Sequence, residues 1–153
     1  MTGQTEGERL LAERWRDPED LRREFPYMAD SLGGGFATDS FGKKEFNVYE
    51  GGKVVSRTLI QFAARKNPTV GVILPGAYAF PTGNNAETLT VLEGELEAAV
   101  DNGPFSRLKR DGAIIAPAGT TLSLKVGKEW MPCFYICRYE PKSGGAGEQD
   151  GKR

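Results

Sequence analysis

The apolar positions of this chain change period near residue 44. Between Glu6 and Phe25 they recur at helical spacing: Leu11 and Trp15 stand four apart, and Leu21 and Phe25 repeat the interval after Asp17-Pro18. That dipeptide has the form of an N-cap followed by proline at the first helical position. Two short helices are expected, with their apolar stripe packed on the body of the same protein. After Lys44 the pattern becomes short runs rich in β-branched and aromatic residues, each closed by Gly, Pro or Asn. The expected strands are Phe46–Tyr49, Val54–Ala63, Val70–Leu74, Ala77–Phe80, Glu87–Glu93, Glu95–Val100, Ala113–Ala116, Thr121–Val126 and Cys133–Tyr139. Many short strands with no helical period between them specify an all-β sandwich or barrel.

Residues 1–30 therefore read as a helical N-terminal arm and 44–140 as the β domain. Residues 31–43, with Gly33-Gly34-Gly35, read as a linker by composition. The glycine run is no phosphate loop, because no strand precedes it and no Gly-Lys-Ser/Thr follows. From residue 141 onward the chain is Gly-rich and charged, and is expected to be a disordered tail.

Length and charge narrow the function classes. At 153 residues the chain suffices for one domain with a substantial core. Lys and Arg total 20 against 21 Asp and Glu, so the overall charge steers the protein neither to nucleic acid nor to an acidic membrane. No segment approaches the roughly 20 apolar residues of a membrane-spanning helix, and a soluble, cytoplasmic protein is expected. Cys133 and Cys137 are four apart. On a strand that is about 13 Å, too far for a disulfide, which needs Cα atoms about 5.5–6 Å apart. They read as reduced core residues.

Two frames carry candidate chemistry. The stretch Gly76 to Gly94 holds Tyr78 and Phe80 two apart, then Glu87 with six residues between it and Gly94. The second is Gly112-Ala-Ile-Ile-Ala-Pro117-Ala-Gly119-Thr-Thr-Leu122. Both resemble the paired motifs of cupins, small β-barrels or jelly rolls whose metal-binding members place three histidines and a glutamate there. This chain has no histidine, and Leu122 stands at the last histidine position. One carboxylate among apolar and hydroxyl residues does not make the three or four ligands a transition metal needs. What remains is a pocket expected to be lined by Tyr78, Phe80, Glu87 and Leu122.

The segments Thr69 to Thr82, Glu87-Thr-Leu-Thr-Val-Leu-Glu-Gly-Glu-Leu96 and Tyr135-Ile-Cys-Arg-Tyr139 together resemble the pyrimidine/purine nucleoside phosphorylases, over roughly Lys44 to Tyr139. Phe46-Asn47, Gly52-Lys53-Val54 and Ser56 fit the same pattern. The resemblance implies a single-domain cupin, generally a homodimer, with no metal or other cofactor. It implies that the protein uses inorganic phosphate as co-substrate to split a broad range of nucleosides into free base and ribose 1-phosphate. Either Arg65 or Lys66 falls where the family tends to have a basic residue.

That reaction needs a cationic seat for phosphate, hydrogen bonds to ribose and a surface for the base. Arg138 is the phosphate candidate, since a guanidinium offers a bidentate fork. Glu87 is the candidate for holding ribose and stabilising a cationic sugar transition state. Tyr78 and Phe80 share a strand face and could stack the base. Strand parity leaves two alternatives at the far end. Either Arg138 points inward, paired with phosphate or with Glu87, or Tyr139 or Tyr135 faces the ligand and Arg138 caps the rim.

Overall fold

The computed structural model describes residues 4–16, 18–24, 46–59, 67–130 and 132–141. Two helices, α1 (Glu6–Arg14) and α2 (Pro18–Glu24), precede ten strands. The first five are β1 (Asn47–Tyr49), β2 (Val54–Thr58), β3 (Thr69–Ile73), β4 (Gly76–Pro81) and β5 (Asn85–Glu93). The others are β6 (Leu96–Val100), β7 (Ser106–Leu108), β8 (Ala113–Ala116), β9 (Thr121–Val126) and β10 (Cys133–Pro141). One sheet has the order β1-β2-β3-β10-β5-β8, the other β4-β9-β6-β7, and every pairing is antiparallel. The fold is all-β, as expected. The two sheets do not close into a barrel, an arrangement compatible with a jelly roll.

The six-stranded sheet is covered on both faces. Between the sheets lie Val54, Ile73, Leu89, Val91, Leu96 and Leu124, with both cysteines. On the outer face Val55, Val70, Val72, Phe134 and Ile136 meet Leu11, Trp15 and Leu21 of the helices. Double coverage explains why Thr69-Val-Gly-Val-Ile73 is buried at every position and shows no alternation of apolar and polar residues.

The arm is fixed locally and globally. Thr5 and Glu8 form a capping box: the Glu8 amide donates to Thr5 Oγ1 (3.4 Å) and the Thr5 amide to Glu8 Oε1 (2.8 Å), satisfying two orphan helix donors. Gly7 lets α1 come close to the sheet, since a Cβ there would lie 2.6 Å from both the Gly52 carbonyl and Val55 Cγ2. At the other end of α1, Arg14 bridges Glu24 and Glu93. The Trp15 indole donates to Glu24 (2.9 Å) and packs edge-on against Phe134, with centroids 5.3 Å apart. Burial works against the Arg14 charge, but hydrogen bonds to Glu24 and Glu93 outweigh it and raise its pKa.

Three expectations need adjusting. Ser106–Leu108 is a strand that its short, mixed sequence did not announce; it forms by pairing with β6. Pro141, assigned to the tail, ends β10 opposite Asn85. The run expected as Val54–Ala63 is strand through Thr58, and residues 60–66 lie outside the described residues, as do Asp17, Phe25, the 31–43 linker and residues 142–153.

Candidate functional site

Between the sheets lies a cavity of about 730 Å³. Strand alternation determines its walls, because the residues that face inward are every second one. On the six-stranded sheet these are Asn47 of β1, Ser56 and Thr58 of β2, Thr69 of β3, Cys137 and Tyr139 of β10, and Glu87 of β5. Register places them side by side: Asn47 pairs with Ser56, Thr58 with Thr69, Thr69 with Cys137 and Tyr139 with Glu87. The result is a polar row running across four strand boundaries. The opposing wall, from β4 and β9, is apolar and consists of Phe80, Pro81, Leu122 and Leu124.

The row is tied together internally. Asn47 Nδ2 donates to Ser56 Oγ (3.2 Å) and Thr58 Oγ1 (3.3 Å). Thr69 Oγ1 and the Tyr139 hydroxyl are 3.0 Å apart. The Cys137 thiol donates to Glu87 Oε1 (3.7 Å). Tyr135 also lines the cavity, and its ring occupies the space a side chain at Gly71 would need, with a Cβ there only 2.6 Å from the Tyr135 hydroxyl. Burial pushes the pKa values of Tyr135, Cys137 and Tyr139 well up, so all three are protonated donors at neutral pH.

The site residues expected from sequence separate into two groups. Phe80, Glu87, Tyr139 and Leu122 line the cavity. Tyr78 and Arg138 do not. Tyr78 shares Phe80's strand face but sits deeper, 8% exposed in the core, with its hydroxyl donating to the carbonyls of Leu74 (2.8 Å) and Pro75 (3.0 Å). A ring held in this way is a core residue, not a stacking surface. Burial, then the Glu50 charge, raises its pKa. Arg138 is exposed and pairs in register with Thr88, on the face opposite Cys137 and Tyr139. Of the two parities left open, the structure has the one with Tyr135 and Tyr139 inward, and Arg138 does not reach the cavity. Arg65 and Lys66 lie outside the described residues. Both cysteines are free and buried as expected, but Cys137 is also part of the cavity wall.

Sequence reasoning missed Asn47, Thr58, Thr69 and Cys137 as site residues. Their signal was the period-two polar pattern Ser56-Arg-Thr58 and Asn47-Val-Tyr49. Which parity faced inward depended on the arm covering the other face. Among the described residues the cavity offers a single carboxylate, Glu87, and they contain no cluster of three or more Cys, Asp or Glu able to hold a metal ion. The arrangement suits a flat, uncharged ligand rich in hydrogen-bonding groups: one wall accepts and donates hydrogen bonds, and the other offers apolar surface.

Comparison with known proteins agrees with this shape. A solved protein of unknown function from Acinetobacter sp. ADP1 superposes with a TM-score of 0.59 at 23% identity, covering 66% of this chain and 93% of that one. The cupin domain of Schizosaccharomyces pombe Cnp3 does so with a TM-score of 0.53 at 20% identity, over 67% and 74% of the two chains. These likenesses show the cupin fold. A protein from Geobacter sp. (strain M21) named pyrimidine/purine nucleoside phosphorylase is 46% identical over 97 residues, 63% of this chain and 89% of its own length. One of the same name from Sulfurimonas denitrificans is 36% identical over 96 residues, 63% and 88% of the two lengths. The family model described as pyrimidine/purine nucleoside phosphorylase matches residues 44–139, and the chain belongs to that family.

Proposed function

We propose that the protein is a metal-independent, broad-specificity nucleoside phosphorylase. The observation that carries this reading is the cavity itself: one carboxylate, Glu87, set in a row of hydroxyls and amides opposite an apolar wall, in a chain of this family. In the reaction the bond between ribose C1′ and the base nitrogen breaks, its electron pair leaving with the base. A phosphate oxygen forms the new bond to C1′, giving ribose 1-phosphate, and the departing base takes up a proton. Positive charge develops on the sugar as the base leaves, and a fixed carboxylate stabilises it. Glu87 takes that role in this reading, supported by its position on the cavity wall, where its Oε1 accepts from the Cys137 thiol. Phe80 supplies apolar surface for the base, and Tyr139, with Thr69 at 3.0 Å, binds ribose hydroxyls. Metal independence rests on the donor set, since the chain has no histidine and Leu122 occupies the cavity wall. The same reading includes a homodimer acting in the cytoplasm, which analytical ultracentrifugation and cell fractionation check. No helix of the described residues is long and apolar enough to cross a membrane.

A second reading is a binding cupin without turnover. It is favoured by one observation: no described residue lining the cavity is cationic. Purified protein incubated with uridine, inosine or adenosine, with and without phosphate, separates the two. Phosphate-dependent release of free base supports the phosphorylase. Thermal stabilisation by nucleoside with no product supports the binder.

A further inference from the structure

We propose that Asn47 reads the base, its Oδ1 accepting a hydrogen bond from the N–H on the base's pairing edge. The inference rests on the nucleoside reading above and names the part of the cavity that takes the base. A carboxamide nitrogen carries two hydrogens, and Asn47 Nδ2 donates to two hydroxyls, Ser56 Oγ at 3.2 Å and Thr58 Oγ1 at 3.3 Å. The amide is planar, so anchoring its nitrogen side to β2 turns Oδ1 away from that strand. Asn47 lines the cavity. Among the described residues no donor is bonded to its Oδ1, leaving a fixed acceptor that wants a donor from a ligand.

Which end of a nucleoside that donor belongs to follows from the neighbours. Two residues along β1, Tyr49 lines the cavity on the same face, and its ring meets Phe80 edge-on with centroids 5.9 Å apart. Aromatic surface beside a planar acceptor suits a base. Glu87 lies on β5, four strands away in the order β1-β2-β3-β10-β5. At about 4.8 Å per strand that is roughly 19 Å of backbone. The two groups thus mark opposite ends of the polar row, and it is the aromatic neighbours of Asn47 that assign its end to the base.

The chemistry also accounts for breadth. Uracil, hypoxanthine and guanine each present an imino N–H on the pairing edge, and cytosine and adenine present an amino N–H. A lone acceptor is satisfied by all of them and rejects only a base whose donor is blocked.

The experiment is a cycle between protein and ligand: affinity by calorimetry without phosphate, then phosphorolysis, for uridine, 3-methyluridine and 5-methyluridine. The last adds the same bulk but keeps the imino donor. The wild type is expected to prefer uridine and 5-methyluridine over 3-methyluridine by about tenfold, the worth of one hydrogen bond. Asn47→Ala should lose about tenfold on uridine, be unchanged on 3-methyluridine, and so erase the preference. Asn47→Asp, which keeps an acceptor, should retain it. Equal weakening of both ligands by Asn47→Ala, or a wild type indifferent to N3 methylation, overturns the assignment. Should Asn47→Ala melt below the assay temperature, the wild-type comparison decides alone, repeated with inosine and 1-methylinosine. Phosphorolysis of uridine without discrimination refutes this inference and leaves the phosphorylase standing, whereas failure of every nucleoside to bind refutes both.

Discussion

Glu87 and Arg138 belong to adjacent strands of one sheet, yet a single step of side-chain alternation separates their roles. Glu87 faces the cavity beside Cys137, and Arg138, paired with Thr88, is exposed on the other face of the sheet. Glu87→Gln keeps the shape and removes the charge that would stabilise the sugar cation. Steady-state kinetics on uridine should show kcat down by about 10²–10³-fold, the usual loss when one preorganised electrostatic group goes, with KM little changed. Arg138→Ala should keep kcat/KM within about threefold, as for other exposed charges. A large loss confined to Arg138→Ala would return the phosphate seat to that residue.

The buried thiols make a second prediction at this scale. Burial pushes the Cys133 thiol up to about 12 from 9.0, and Tyr135, Cys137 and Tyr139 shift in the same direction. The folded state thus holds protons that the unfolded chain releases. Their contribution to stability is complete below about pH 8.5, where an unfolded thiol is still protonated, and it is lost as pH climbs toward 12. Urea midpoints measured from pH 7 to 11 should fall steeply above pH 9. Cys133→Ala should be less stable at pH 7 but show a shallower alkaline fall. Parallel pH profiles for the two proteins would contradict the buried-thiol account.

At the scale of elements, the arm is structural. Leu11, Trp15 and Leu21 are at most 1% exposed, all against the outer face of the protein's own sheet, so the stripe that could have served a partner is already occupied. Trp15→Ala should cost about 3–5 kcal/mol and lower Tm by about 10 °C or more. Gly7→Val should also destabilise, because its Cβ would meet the Gly52 backbone. Below their melting temperatures both should turn over nucleoside within a few-fold of wild type, since no described arm residue lines the cavity. Loss of activity without loss of stability would mean that the arm acts on the site.

The arm also shows what the sequence disclosed at this scale. Both helices were legible from the Leu11/Trp15 spacing and Asp17-Pro18, and all nine expected strands began within two residues of expectation because Gly, Pro and Asn bracket them. Ser106–Leu108 was hidden, since a three-residue strand with two exposed positions has no pattern of its own. Tyr78 and Arg138 failed for a related reason. Parity says which residues share a face, but depth along a strand and the choice of inward face are decided by what packs on each side, here the arm and the second sheet.

For the whole molecule, the matched family region, residues 44–139, stops two residues before the end of β10, and the arm that covers the apolar outer face of the sheet lies outside that region. The catalytic claim therefore rests on the cavity between the sheets, with Glu87 its only charged group among the described lining residues. The most direct measurement is chromatography of uridine and inosine incubated with purified, metal-chelated protein in the presence and absence of phosphate. Free base and ribose 1-phosphate should appear in equal amounts with phosphate, vanish without it, and fall at least about a hundredfold in Glu87→Gln. An intact nucleoside pool under all conditions, or release of base that ignores phosphate or Glu87, would contradict the account.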